Sequence, residues 1–163
     1  MSSVTSPLGE IRRAGGRAAV RFDRIYLAAV EDVWAAIADP ARASGWLGEV
    51  QGVAAVGGQV RIVSGDGLEA VADVDIRRCV APARLELTWT VPGDEPTELY
   101  ADLHALRFGH TRVVLDHAGF TPELVADHAC VWHHWLDALD AYLAGAPVPP
   151  LDAYFPAMLA RYR

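Results

Sequence analysis

The feature that most constrains the fold is a long amphipathic segment near the C-terminus, preceded by a series of strand patterns. Thr121-Pro122-Glu123 is typical of a helix start, and the helical pattern then continues to Ala144 and ends at Gly145. Its side chains divide into an apolar arc of Leu124, His128, Val131, Trp132, Trp135, Leu139, Tyr142 and Leu143 and an opposite side with His133, Asp137 and Asp140. A helix with so wide an apolar face needs an apolar partner along its whole length, and the preceding strands are the available one.

The strand patterns lie between residues 18 and 118. A first strand is predicted at 18–27, two short helices at 31–38 and 41–47, and further strands at 49–56, 59–64, 68–80, 84–91, 97–108 and 111–118. On the last of these, Val113, Leu115 and His117 share one face. The sequence therefore predicts an α+β fold, in which a curved antiparallel sheet of about seven strands wraps around the long C-terminal helix.

Three segments are expected along the chain. Residues 1–16 are small, polar and rich in glycine, so we expect a flexible N-terminal segment that does not pack. Residues 17–145 are expected to form the ligand-binding domain. Residues 146–163 form a Pro-rich tail that is too apolar to be a free linker. The tail is predicted to pack either on its own domain or on a second copy, which would give a homodimer.

Charge and composition exclude several classes of function. The net charge is −7, the pI is about 5.2 and the chain has no lysine, which argues against nucleic acid or an anionic membrane as a partner. It also excludes a Schiff-base or P-loop lysine. Cys79 and Cys130 are isolated in the sequence, so both are expected to be reduced and buried. Without a signal-peptide pattern or a long apolar run, the chain is predicted to be cytoplasmic.

Several sequence stretches carry a resemblance to a known family. These are VRFDRIYLAAVEDVWAAIADPARASGWL, VGGQVRI, PARLELTW, GHTRVVLDHAGF and WHHWLDALDAYL. In this order they resemble the SRPBCC superfamily of helix-grip proteins, and within it the branch homologous to the activator of the heat-shock-protein-90 ATPase. The likeness covers residues 20–143, whereas the tail, the Gly-rich N-terminus and the irregular segment 73–82 depart from it. The resemblance implies a ligand pocket between the sheet and the long helix.

The candidate pocket residues are large apolar or aromatic side chains that the pattern turns inward. They are Trp34 and Trp46 at the mouth, Leu85, Leu87, Trp89, Leu103, Leu115 and His117 on strands, and His128, Val131, Trp132 and Trp135 on the helix. The alternative for each tryptophan is an ordinary core position, which is the commoner one for a large aromatic side chain. His128 interrupts an apolar arc, so it is interpreted either as a core histidine with a partner or as a ligand contact or general base.

Other candidate chemistries find little support. His133 lies too far around the helix from His128 for both to bind one ion, so no metal and no cofactor are predicted. Asp73 and Asp75 share one strand face, which is more typical of a solvated face than of an acid–base pair. Cys130 is predicted on the outer side of the helix, away from His128, and no serine lies in a nucleophile elbow.

Three functions follow from these observations. The favoured one is non-catalytic binding of a small hydrophobic or aromatic molecule. The second is a polyketide cyclase or hydrolase-like enzyme in which His128 moves protons together with an inward-facing acid. The third is a chaperone-associated interaction module, which the name of the branch suggests and which would need an exposed docking patch.

Overall fold

An eight-stranded antiparallel sheet forms the frame of the molecule. The computed structural model describes residues 7–52, 55–64, 70–148 and 150–163. Its elements are β1 (Glu10–Ala14), β2 (Arg17–Tyr26), α1 (Val30–Ala38), α2 (Pro40–Ala43), β3 (Glu49–Gly52), β4 (Gln59–Ser64), β5 (Ala70–Val80), β6 (Arg84–Thr90), β7 (Thr97–Ala105), β8 (Thr111–Phe120), α3 (Val125–Leu143) and α4 (Leu151–Tyr162). The strand order is β1-β2-β8-β7-β6-β5-β4-β3, and every neighbouring pair is antiparallel. The predicted α+β fold, a curved and unclosed sheet with a long helix, is confirmed.

The N-terminal end of the sheet differs from the prediction. Residues 10–14 form β1 and pair with β2, from Glu10 opposite Arg21 to Ala14 opposite Arg17. This strand lies inside the segment 1–16 that was expected not to pack, so that expectation is wrong for residues 10–14. The sheet accordingly has one strand more than the seven predicted.

Two short helices form the corner between β2 and β3. Asp39 ends α1 and starts α2, because its carboxylate accepts a hydrogen bond from the backbone N–H of Ala41 at 3.1 Å and Pro40 occupies the first helical position. After α2 the chain turns at Gly45, and Trp46 is buried against α1. This geometry places the Trp46 indole at one end of the space between sheet and helix.

Alternation along the strands sets which side chains face α3. In β2, Ala18, Val20, Phe22, Arg24 and Tyr26 are buried, whereas the residues between them are half-buried or exposed. In β8, the predicted inner residues Val113, Leu115 and His117 are likewise buried. The core is therefore the layer between this inner sheet face and α3.

Helix α3 contacts a second element besides the sheet. The C-terminal tail forms α4, whose Met158 and Tyr162 are buried in the core cluster. The tail thus packs on its own domain. This contact also buries a part of α3 that was predicted to face solvent.

The ends of several strands depart from the predicted bounds. Strand β7 ends at Ala105 rather than Phe108, and Phe108 lies in a short 3-10 turn with a positive φ of 63°. Parts of the predicted strands 49–56 and 68–80 fall on residues 53–54 and 68–69, which lie outside the described residues. Within the described part of the chain, no helix combines the length and the apolar character needed to cross a membrane.

Candidate ligand-binding site

An apolar cavity of about 90 Å³ lies between the sheet, α3 and the α1–α2 corner. Its walls come from every layer of the fold, because strands, helix and corner all turn apolar side chains towards the same space. The lining residues are Ile37, Ala38, Pro40, Ala43, Trp46, Leu47, Val50, Val60, Ile62, Val74, Ile76, Leu85, Leu87, Trp89, Leu99, Ala101, Val113, Leu115, Trp132, Leu136 and Leu139. A space with such walls favours an apolar occupant.

Half of the predicted site residues line this cavity: Trp46, Leu85, Leu87, Trp89, Leu115 and Trp132. The indole N–H groups of two of them are already used. Trp46 donates to the carbonyl of Ala36 at 2.8 Å, and Trp132 donates to Nδ1 of His117 at 2.8 Å. The Trp89 N–H makes no hydrogen bond to the residues that the structure describes. Trp89 is therefore the indole in this wall with a donor to spare.

A second space, which we call the aromatic slot, adjoins the cavity at Ile62, Trp89 and Trp132. It measures about 120 Å³ and is lined by Ile62, Ala72, Trp89, Val91, His128, Val131, Trp132 and Trp135. The rings of Trp132 and Trp135 meet edge to face with centroids 5.1 Å apart, and the Trp89 ring is 5.5 Å from Trp132 and 6.0 Å from Trp135. Three indoles at these distances form a rigid wall suited to a flat ring.

His117 is a core histidine with both ring nitrogens in use. Its Nδ1 accepts from Trp132, and its Nε2 lies 2.7 Å from the hydroxyl of Thr97, which itself donates to the carbonyl of Trp89 at 2.9 Å. Because Nδ1 accepts, the proton of the neutral ring is on Nε2 and is donated to Thr97. Burial, with a smaller effect of His128, holds the pKa of His117 well below 6.5. His117 therefore supports the wall of the slot and is not free to bind a ligand.

His128 is the opposite case. Its ring stacks on Phe120 with centroids 4.4 Å apart and an angle of 24°, yet neither nitrogen makes a hydrogen bond within the described part of the chain. Neither nitrogen is fully buried. Burial lowers the pKa of His128, although Asp94 and Asp127 act in the opposite direction, so the ring is neutral at pH 7. It offers one donor and one acceptor to whatever enters.

His128 also borders a polar pocket of about 160 Å³ on the other side of the slot. This pocket is lined by Arg17, Val91, Gly93, Asp94, Glu95, Thr97, Gly119, Phe120, Thr121, Leu124 and His128. Arg17 and Glu95 are paired across it at 2.8 Å. The imidazole thus lies at the boundary between an aromatic space and a charged one.

The remaining predicted site residues occupy two different places. Val131, Trp135 and His128 line the aromatic slot. Leu103 belongs to the core and the half-buried Trp34 packs against it, and neither lines the cavity or the slot. Cavity residues such as Val74 and Ile76 were not predicted, although they alternate along β5 with Asp73 and Asp75 and could have been found from that pattern.

Two side chains on α3 contradict the predicted helix faces. His133 was placed opposite the apolar arc and Cys130 on the outer side, yet both are fully buried. Cys130 lies under α4, with Sγ 3.5 Å from the carbonyl of Phe155, and burial raises the pKa of its thiol to about 11. The physical reason is α4, which covers this side of α3.

The His133 side of α3 is polar. Nδ1 of His133 lies 2.7 Å from the Tyr162 hydroxyl, which accepts from the backbone N–H of Gly9 at 2.8 Å. Nε2 lies 3.5 Å from Asp137, whose carboxylate also accepts from Arg24 at 2.7 Å. The neutral tautomer that suits both neighbours has its proton on Nε2. Burial, opposed by Asp137, lowers the pKa of His133 to about 4.

The carboxylates considered for acid–base chemistry lie on the outer face of the sheet. Asp73 accepts from Arg61 at 3.0 Å and Asp75 accepts from Gln59 at 3.1 Å, and both contacts are exposed. The solvated-face interpretation is therefore confirmed. Among the residues that the structure describes, no group of three or more His, Cys, Asp or Glu side chains is placed to hold a metal ion.

Comparison with known proteins agrees with this architecture. The family model described as activator of Hsp90 ATPase homolog 1-like protein matches residues 27–144. CalU16 from Micromonospora echinospora is similar in its crystal structure, with 26% identity, a TM-score of 0.75 and coverage of 95% of this chain and 92% of that chain. Its solution NMR structure gives 23% identity, a TM-score of 0.77 and coverage of 99% and 93%.

A further similar structure is DynU16, a protein in the dynemicin biosynthetic locus. It shares 25% identity with a TM-score of 0.72, and the match covers 80% of this chain and 49% of that chain. No curated protein matches the chain.

Proposed function

The chain belongs to the family of activator of Hsp90 ATPase homolog 1-like proteins, within the SRPBCC helix-grip superfamily, and we propose that it binds a small hydrophobic or aromatic molecule between its sheet and α3. The observation that carries this proposal is the unfilled apolar cavity of about 90 Å³. An empty apolar cavity of this size costs roughly 2 kcal/mol of stability, because its walls lose the contacts that a filled core would make. An apolar ligand restores these contacts.

The wall chemistry supports a ligand that is mainly apolar. The cavity is lined by aliphatic side chains and tryptophans, and the indole N–H groups of Trp46 and Trp132 are bound within the protein. Among the described residues, the side chain of His128 brings polar atoms to the slot. DynU16 belongs to a biosynthetic locus, which supports a small molecule as the ligand class.

The enzymatic alternative requires a carboxylate beside His128 inside the cavity. Asp73 and Asp75, the carboxylates considered from the sequence, are on the outer face with Arg61 and Gln59 as partners. Asp94 and Asp127 influence the pKa of His128 from a distance and make no hydrogen bond to it. We therefore propose binding rather than catalysis. The chaperone-associated module is not favoured, since the distinguishing feature of the chain is an internal space.

Filling the cavity tests the proposal. Ala101 is buried on β7 and lines the cavity, so Ala101→Leu places three additional carbons in the unfilled space. The fluorescent apolar probe N-phenyl-1-naphthylamine should bind the wild type, and the variant should bind it at least about ten-fold more weakly. Stability should change by less than about 1.5 kcal/mol, because the new side chain enters existing space.

Ala105→Leu is the matched control. It is the same substitution on the same strand, but Ala105 is exposed and does not line the cavity. Probe binding to this variant should equal that of the wild type. Equal binding by Ala101→Leu and Ala105→Leu would contradict the proposal, as would failure of the wild type to bind the probe. Native mass spectrometry of the purified protein would in addition identify any retained metabolite.

Two further expectations are part of the proposal. A cytoplasmic location remains a prediction from the sequence. A homodimer through the tail also remains a prediction, although α4 already packs on its own domain. Light scattering on the wild type measures the oligomeric state directly.

A further inference from the structure

We propose that the ligand is a hydroxylated aromatic molecule, whose ring lies in the aromatic slot and whose hydroxyl group donates a hydrogen bond to His128. This inference rests on the proposed function and adds the ligand class and the residue that recognises it. The observations that support it are the aromatic rings that line the slot and the hydrogen-bond donors and acceptors among them.

The slot selects for a flat ring. Trp89, Trp132 and Trp135 are all buried and meet one another at centroid distances between 5.1 and 6.0 Å. Because each ring is fixed by the other two, the slot presents aromatic faces and edges without a cost of ordering flexible side chains. An aromatic ligand gains edge-to-face and stacking contacts that an aliphatic chain does not.

The polar capacity of the slot selects for a hydroxyl group. Of the side chains that line it, the aliphatic ones have no polar atom and the three indoles are donors only. Among the described residues that line the slot, His128 is therefore the one whose side chain can accept a hydrogen bond. A hydroxyl hydrogen in the slot finds its side-chain acceptor at His128.

The surroundings keep His128 ready for this role. Phe120 holds the imidazole plane by stacking, and neither ring nitrogen is engaged by the part of the chain that the structure describes. The neighbouring polar groups are engaged: Thr97 is bound to His117 and to the Trp89 carbonyl, and His117 is bound to Trp132. A neutral imidazole that has no hydrogen-bond partner among the described residues and lies beside an aromatic slot matches a phenolic hydroxyl in both chemistry and position.

Equilibrium dialysis at pH 7 with two matched probes tests the inference. 2-Naphthol can donate a hydrogen bond, whereas 2-methoxynaphthalene has the same ring and can only accept one. The wild type should bind 2-naphthol roughly three- to ten-fold more tightly, the range that one net hydrogen bond supplies. His128→Phe keeps the stacking on Phe120 and should abolish this preference while binding 2-methoxynaphthalene within about two-fold of the wild type.

Controls separate the inference from the proposed function. His104→Phe changes an exposed histidine on β7 that lines none of these spaces and should keep the preference. His128→Gln, which retains an acceptor oxygen, should restore part of it. In ¹H–¹⁵N spectra of the wild-type imidazoles, the accepting nitrogen of His128 should shift clearly more with 2-naphthol than with 2-methoxynaphthalene, a result that needs no variant to fold.

Each other outcome has a defined meaning. Equal wild-type affinities for the two probes would overturn the inference and leave the proposed function standing. A preference that survives in His128→Phe, or unchanged His128 nitrogen shifts, would overturn the role of His128. Binding of neither probe would overturn the proposed function together with the inference.

Discussion

Helix α3 has a buried histidine, His133, on one side and a half-buried one, His128, on another, and the two sides differ in how the polar atoms are used. On the side facing α4, both nitrogens of His133 have neighbours, Tyr162 and Asp137, and Tyr162 in turn holds Gly9. On the side facing the sheet, the nitrogens of His128 have no partner within the described residues and border the slot and the polar pocket. The first arrangement connects secondary-structure elements to one another. The second leaves the His128 nitrogens available for hydrogen bonds to a ligand.

The comparison of these histidines shows that burial alone does not identify a functional residue in this fold. His117 and His133 are more deeply buried than His128, and each has a lowered pKa. Both are structural, because their hydrogen bonds are made within the chain. His128 differs from His117 and His133 because its ring nitrogens make no hydrogen bond within the described residues and it borders unfilled space. The two kinds of histidine are thus distinguished by their hydrogen bonds and packing.

Trp46→Ala tests whether the side of α3 that faces the sheet is tightly packed around its cavity. Trp46 is 6% exposed and its indole N–H is bound to Ala36, so truncation enlarges the cavity and removes that bond. We expect a loss of about 3–5 kcal/mol in the free energy of unfolding, measured by urea denaturation. Trp34→Ala, at a half-buried tryptophan outside the cavity, should cost clearly less. Similar small losses for both would show that the sheet side is loosely packed throughout.

The pH dependence of stability tests the structural role of His133 on the side of α3 that faces α4. The pKa of His133 is about 4 in the folded state against 6.5 in the unfolded chain, so below pH 6.5 the unfolded state binds more protons. The free energy of unfolding should therefore fall as the pH is lowered from 7 to 5, by at most about 1.4 kcal/mol per pH unit for this residue. His117, with its pKa also lowered, contributes in the same direction.

His133→Phe isolates the contribution of His133. Urea unfolding at pH 7, 6 and 5 should show a shallower decrease for this variant than for the wild type, whatever its absolute stability. The range above pH 5 avoids the carboxylates, which titrate mainly at lower pH in the unfolded chain. An unchanged slope would mean that His133 keeps its ordinary pKa, and the structural role given to it would then be wrong.

The sequence predicted the architecture because the strands alternate clearly and α3 is long. It missed β1 for a physical reason: the strand EIRRA has one partly buried apolar residue, Ile11, and lies at the sheet edge, where arginines are common. Only its pairing with β2 makes it a strand. An edge strand that contributes so little to the core leaves almost no periodic signal.

The site was predicted in part for similar reasons. Alternation and helical spacing identify which side chains turn inward, and six of the predicted residues do line the cavity. They do not show where along α3 the space remains unfilled. Trp34 and Leu103 were therefore predicted to line it, whereas Leu103 lies in the core and Trp34 packs against the core. The assignment of His133 to the solvent side assumed one packing partner for α3, and the docking of α4 depends on tertiary geometry that no local pattern contains.

Tyr162→Phe tests whether the hydrogen bonds of Tyr162 help to attach α4 to α3. The substitution removes the hydroxyl group that accepts from the Gly9 N–H and meets His133, while the buried ring stays in place. We expect a loss of about 1–2 kcal/mol in the free energy of unfolding, because the buried His133 nitrogen and the part-buried Gly9 N–H lose their partner. Hydrogen exchange of the Gly9 amide should also become faster. Tyr100→Phe removes an exposed hydroxyl bonded to Glu98 and should cost less than about 0.5 kcal/mol. Equal effects of the two variants would mean that apolar contacts of α4, and not the hydrogen bonds of Tyr162, hold the tail on α3. The contrast between the two sides of the helix would then depend only on the nitrogens of His128, which have no partner among the described residues.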